Sequence, residues 1–253
     1  MCLVLFATTH PRHALVLAAN RDEFHARPAA RAAWVEPDLL AGLDLQAGGT
    51  WLALRRDGRF AVVTNVREPG RARPDAPSRG ALPFQVTRDS RPLADSLAAV
   101  AGDLQACHGC NLLAGSAAEL AWASNRSAGP AQVAPGVHGL SNHLLDTPWP
   151  KVVRGKARLA DWLAGPGEDP EPLFDLLGDR ALAAEADLPR TGVPLDWERR
   201  LSAAFIVSPE YGTRCSTVLI LSRDGWARFH ERTFGADGRP TGEVHERFRL
   251  SPP

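Results

Sequence analysis

No apolar stretch in the 253 residues approaches the ~20 needed for a membrane-crossing helix. The start, Met1-Cys2-Leu3, has neither the basic opening nor the small-residue cleavage site of a secretory signal. Together these absences predict a soluble chain in the cytoplasm. Runs of like charge are also missing. The 29 basic residues are balanced by 29 acidic ones and interleaved with them, which leaves no electrostatic footprint for nucleic acid. There is no G-x-S-x-G elbow for a serine hydrolase and no H-E-x-x-H pair for a zinc hydrolase. No internal repeat is visible.

Cysteine is scarce, with four residues at 2, 107, 110 and 215. Only Cys107-His108-Gly109-Cys110 has a spacing with known chemical uses. A zinc ribbon would need a second pair, and c-type haem attachment needs a histidine directly after the second cysteine, so the pair reads as structural thiols. Asp22-x-x-His25 gives two metal ligands without a third, and no metal site is assigned. The length suits one large domain or two small ones, and the 44% hydrophobic content is that of a globular protein.

The organising stretch is the first 23 residues. Residues 3–7 and 14–19 are continuous apolar runs of strand length around Thr8-Thr9-His10-Pro11-Arg12-His13, which predicts a hairpin buried on both faces. The hairpin brings Cys2 beside Asn20 and Asp22. Strand alternation puts Asn20 and Asp22 on one face and Arg21 and Glu23 on the other. Removal of Met1 would leave Cys2 with a thiol and a free α-amine, the latter titrating at about 7.7–8.0 and able to serve as a base. Nucleophile and base would then share one residue.

Further along, residues 24–49 read as an extended surface connection. Residues 50–55 and 59–65 form strands about an Asp57-Gly58 turn, and 66–80 form a long polar loop. Helix is expected over 82–104 with a break near Pro92, then strands at 110–115, 120–124 and 136–142, and helices over 149–163 and 172–177. The last third returns to strands at 201–207, 215–221 and 226–233, with an Asp224-Gly225 turn. Hairpins throughout and few crossovers predict antiparallel sheets with segregated helices, an α+β architecture. Asn20, Asn65 and Asn142 each stand at the end of an apolar strand. Asparagine can donate to a developing oxyanion without adding a charge to desolvate. Arg214, next to a buried strand, is a candidate cation for a thiolate or a substrate carboxylate.

Met1-Cys2, Ala19-Asn20-Arg21-Asp22-Glu23-Phe24, Arg27-Pro28, Gly42-Leu43-Asp44, Gly48-Gly49-Thr50-Trp51, Thr64-Asn65, Gly139-Leu140-Ser141-Asn142, Asp146-Thr147-Pro148-Trp149-Pro150-Lys151 and Tyr211-Gly212-Thr213-Arg214 together resemble the NRDE family, also called the transport and Golgi organisation family. The resemblance implies one domain over 1–253 and a four-layer αββα sandwich of antiparallel sheets, like that of N-terminal-nucleophile hydrolases. The wider fold family includes cysteine amidohydrolases similar to bile salt hydrolase and penicillin V acylase. Carried over, it implies Cys2 as nucleophile, Asp22 as the group orienting its amine or thiol, Asn65 and Asn142 as donors and Arg214 as cation, with Asn20, Arg21, Trp51 and Tyr211 binding substrate. Those hydrolases place an arginine directly before the asparagine, where this chain has Ala19; its arginine is at 21, which reads as the opposite strand face. The family is associated with haem trafficking and with lipid or acyl-CoA homeostasis. The implied partner is therefore a small apolar substrate, with no cofactor required, or haem as cargo, for which the eight histidines offer ligands with no spacing to choose among them.

Overall fold

The computed structural model describes residues 2–71 and 74–252. The expected hairpin forms from β1 (Cys2–Ala7) and β2 (His13–Phe24), in antiparallel register with Leu3 opposite Asn20 and Ala7 opposite Val16. Its unbroken apolar runs are used on both faces. Val4, Phe6, Leu15 and Leu17 enter the core between two sheets, while Leu3, Leu5, Val16 and Ala18 pack beneath helices. Each fully buried Leu or Phe contributes about 1.5–3 kcal/mol relative to exposure.

The second sheet is a meander of β3 (Ala29–Glu36), β4 (Leu39–Asp44), β5 (Leu52–Arg55), β6 (Phe60–Asn65), β7 (Cys110–Gly115), β8 (Leu120–Ser124) and β9 (Ala131–Gln132), paired in sequence order. The first sheet adds β10 (Val137–Leu140), β11 (Tyr211–Ser222), β12 (Trp226–Phe234) and β13 (Pro240–Arg249), in the order β10-β1-β2-β11-β12-β13. Every pairing is antiparallel. Gly58 and Gly225 supply the positive φ, 88° and 85°, that the two Asp-Gly turns require. Helices α1 (Ala81–Arg88), α2 (Leu93–Ala99) and α3 (Ala101–Ala106) cover the second sheet. Helices α4 (Pro150–Ala164) and α5 (Glu171–Leu177) cover the first, and a short α6 (Leu195–Arg200) precedes β11. The result is an α+β, four-layer αββα sandwich of two antiparallel sheets between helical layers.

Two expectations fail for physical reasons, and one strand was not expected. Residues 24–49 are mostly two strands: β3 is an edge strand that buries only Ala32, so its hydrophobic alternation is too thin to read. The apolar run 201–207 is not a strand. It is a loop packed under Trp197 and Tyr211, and its carbonyls serve as acceptors for β2 and β11 side chains and backbone. Strand β13 had no signal, because its exposed residues alternate with the half-buried Gly242, Val244 and Glu246 and only Phe248 is buried. The helix over 82–104 breaks at Pro92 as expected and again at Val100, where the backbone leaves helical geometry.

Candidate active site

Strand pairing sets the site. Cys2 lies directly across from Arg21, and both belong to the face of the first sheet that looks into the space between the sheets. Arg21 thus shares the thiol's face; the arginine has moved two residues along the same face from Ala19 and not to the other side of the sheet. The backbone N–H of Asp22 donates to the Cys2 sulfur. Cys2 is 6% exposed, and burial followed by the nearby Asp22 carboxylate pushes its thiol pKa up.

Asp22 takes the opposite face, under α4. Its Oδ1 accepts from Thr213 Oγ1 at 2.7 Å. Burial pushes its carboxyl up, and the cation of Lys151 is the largest opposing influence. Lys151 occupies the first turn of α4, after Trp149 and with Pro150 opening the helix. It is 2% exposed and its Nζ makes no hydrogen bond among the described residues. Burial lowers its pKa to about 8 against the pull of Asp22 and, more weakly, Cys2. Sequence reasoning gave it no role: a single lysine in a helix has no spacing to mark it, and the Trp149-Pro150-Lys151 run entered only as a helix start and as part of the family resemblance.

The turn after β10 brings the asparagines in. Asn142 adopts φ 57°, a left-handed conformation that asparagine tolerates better than most residues, and it is fully buried. Its Nδ2 donates to the Asn65 carbonyl at 3.4 Å, and its own carbonyl accepts the Arg67 N–H at 2.7 Å. Ser141 Oγ bridges the Cys2 carbonyl at 3.1 Å and Asn142 Oδ1 at 3.3 Å. Cys2, Asp22, Asn65 and Asn142 therefore meet at one end of the hairpin. Outside them lies a cleft of about 100 Å³ lined by Cys2, Arg21, Asp22, Trp51, Asn65 and Gly80 among others.

The sequence profile described as Transport and Golgi organisation 2 matches residues 1–236. A Transport and Golgi organization protein 2 homolog of Bos taurus is 34% identical over 279 residues, covering 99% of each chain. The chain belongs to this family. A Transport and Golgi organization protein 2 of Drosophila melanogaster is 29% identical, covering 96% of this chain and 95% of that one. Among solved structures, the Caenorhabditis elegans N-acylethanolamine-hydrolyzing acid amidase ortholog aligns with TM-score 0.44 and 12% identity, over 87% of this chain and 92% of that one.

Three of the expected residues in this family member stand elsewhere. Asn20 is a structural bolt and is corrected as a substrate contact: its Nδ2 donates to the carbonyls of Leu177 and Ala204 at 2.9 and 2.8 Å, and its Oδ1 accepts from Ser216 Oγ at 2.6 Å. Tyr211 packs edge-on against Phe24 and Trp197 with ring centroids 5.1 and 5.7 Å away, outside the cleft lining. Arg214 ties down the turn after β2 by donating to the carbonyls of Phe24, His25 and Arg27, and lines an adjoining cavity in place of the Cys2 cleft. Trp51 lines both. His25 contacts the Ser208 carbonyl, and among the described residues no three His, Cys, Asp or Glu are grouped to hold a metal. No described histidine lines either cavity.

The cleft wall depends on a close backbone approach. A Cβ on Gly49 would stand 2.6–2.7 Å from the backbone of Gly80, which also accepts the Thr50 N–H at 2.9 Å. Backbone cannot rotate aside as a side chain can. Gly49→Ala is expected to lower stability by about 1–3 kcal/mol, measured by urea unfolding. Unchanged stability would mean that the Gly49–Gly80 contact is loose.

Proposed function

We propose that this chain is an N-terminal-cysteine amidohydrolase or acyl-transfer enzyme acting on a small apolar acyl substrate. The observation that supports it most is the meeting, at one strand end, of Cys2, two asparagine donors and the buried Asp22–Lys151 pair. Removal of Met1 would put the α-amine of Cys2 within the field of Asp22. The Lys151 cation shares that carboxylate, so the amine is held in place without being fixed as ammonium.

In the proposed reaction the α-amine takes the thiol proton as Cys2 Sγ attacks the acyl carbonyl carbon. The oxyanion that forms is met by donors at Asn65 and Asn142. Collapse breaks the C–N bond, and the α-ammonium returns its proton to the leaving amine. Water then hydrolyses the thioester, giving the acid and restoring the thiol. The four free thiols support a reducing, cytoplasmic setting for such a nucleophile. The test is the intact mass of protein lacking Met1 after brief exposure to acyl amides and acyl thioesters. An acyl adduct on Cys2 is expected, and its absence across both panels would overturn the reading.

A carrier function, for haem or an acyl compound, draws on one observation. Burial pushes the Cys2 thiol up, so the sulfur is neutral while its amine is blocked, and the cleft then only binds.

Lys151 provides a second test. Losing its cation removes the main counterweight to the burial of Asp22 and a smaller one at Cys2. Both groups then ionise at higher pH. Lys151→Met is expected to move the acid limb of the kcat/KM profile upward by roughly one to three units. A limb that stays in place would mean that Lys151 does not act on either group.

A further inference from the structure

Arg21 has an unfinished hydrogen-bond inventory. Its side chain is 10% exposed, its Nη2 lies 3.8 Å from Asp44 Oδ2, and its Nη1 is buried without a hydrogen-bond partner among the described residues. Asp44 does not satisfy it: its Oδ2 accepts from Arg27 Nε at 2.6 Å and its Oδ1 from the N–H groups of Gln46 and Ala47 at 3.0 and 3.1 Å. An always-charged guanidinium with an unused buried donor is costly unless an acceptor arrives.

A second cavity, of about 250 Å³, shares Arg21, Asp44 and Trp51 with the Cys2 cleft. At ~30 Å³ per water this is room for a compact polar group with a few carbons. Arg21, Arg31 and Arg214 line it, with Leu43 and Phe234. Arg21 and Arg214 are near enough that Arg21 helps, after burial, to lower the pKa of Arg214. Two carboxyl groups face the same space. Asp44 is held as described, and Glu231 is bonded through Oε1 to the Ala32 N–H at 2.7 Å, with burial shifting it toward its neutral form. Neither cancels three guanidiniums.

Resting on the acyl-transfer reading of Cys2, we propose that this cavity receives the anionic group, a carboxylate or a phosphate, of the acyl substrate, with Arg21 Nη1 as its buried donor. Arg21 lines both spaces and lies across the strand pair from Cys2, so a ligand held there would direct its acyl part past Arg21 toward the thiol. Arg31, exposed on β3, adds charge at the rim.

The experiment is calorimetric titration of the Cys2→Ala protein, which binds without turnover. The probes are N-octanoylglycine, octyl phosphate and the neutral N-octanoylglycinamide. At least one anion is expected to bind about tenfold or more tightly than the amide, and which one identifies carboxylate or phosphate as the group taken. Adding Arg21→Gln is expected to abolish the preference, and adding Arg31→Gln to reduce it roughly two- to fivefold. Equal binding of all three probes, or a preference that survives Arg21→Gln in folded protein, overturns the proposal. If Arg21→Gln does not fold, Arg31→Gln decides, and an unchanged preference is then the overturning result. An anion preference without acylation of wild-type Cys2 keeps the pocket and removes the hydrolase reading. Turnover of a neutral amide with no anion preference does the reverse.

Discussion

Cys2→Ala is expected to abolish acyl-amide turnover while leaving the fold in place, and a chain carrying an uncleaved extension before Cys2 is expected to fail in the same way. The first change removes the nucleophile. The second leaves the thiol but acylates the amine that would deprotonate it, and loss of a positioned base costs about 10²–10⁴-fold. The two variants therefore separate covalent catalysis from binding. The thiol needs the help: burial and the neighbouring Asp22 carboxylate both hold its pKa above the ordinary value, so an unassisted Cys2 is a weak nucleophile at neutral pH. The measurement is single-turnover release of amine from an acyl amide by processed wild-type protein and by both variants, with unfolding midpoints as the control. Turnover by Cys2→Ala at the wild-type rate would take the thiol out of the chemistry, and turnover by the extended chain would take out the α-amine.

Arg67→Met is expected to be the most destabilising single change near the site, by about 3–5 kcal/mol. Arg67 and Glu198 side chains are 5% and 4% exposed, and Nη1 meets Oε2 at 2.5 Å. The other oxygen of Glu198 accepts from the Thr191 N–H at 2.8 Å and its Oγ1 at 2.6 Å. The Arg67 guanidinium also lies 4.7 Å above the Trp149 ring. Removing the arginine leaves a carboxylate buried with half of its partners, whereas removing both charges in Arg67→Met/Glu198→Leu is expected to recover much of the loss. The exposed pair Arg12–Glu168 gives the contrast, and Arg12→Met should cost less than about 1 kcal/mol. Urea unfolding at pH 7 measures all of these. A loss below 1 kcal/mol for Arg67→Met would mean that Glu198 readily finds water or a proton.

The second change also reaches the site. The Arg67 N–H holds the Asn142 carbonyl, and its guanidinium is one of the cations acting on and influenced by Asp22. Stability and the placement of a proposed oxyanion donor are thus joined at one residue between β6 and the loop that follows. Its backbone contact survives substitution, so the cost to activity should come through the charge.

Elements with strong local signals were legible. Two unbroken apolar runs gave β1 and β2, Asp57-Gly58 and Asp224-Gly225 gave two hairpins, and Pro92 gave the first helix break. Illegible were the strands whose burial comes from a partner. β3 and β13 lie at sheet edges with mostly exposed residues, and nothing in such a stretch reveals the neighbour it will pair with. The opposite error occurred at 201–207, where apolar residues fill a loop that is buried because α6 and β11 enclose it. Apolar content records burial, and burial is not unique to strands.

Within the site the same division holds. Strand alternation has a fixed period of two, so the sequence by itself determined that Asn20 and Asp22 share one face and Arg21 the other. Which face carried the chemistry was decided only when β1 and β2 paired, setting Arg21 across from Cys2, and when Leu177 of α5, Ala204 of the 201–207 loop and Ser216 of β11 bonded Asn20. Lys151, Asn142 and Arg67 came to Asp22 and Cys2 from remote segments, through packing that no local pattern encodes. The charges of these groups are set by desolvation and by one another's fields. Both are properties of the space between elements, and that space exists only once the two sheets and α4 have closed around it.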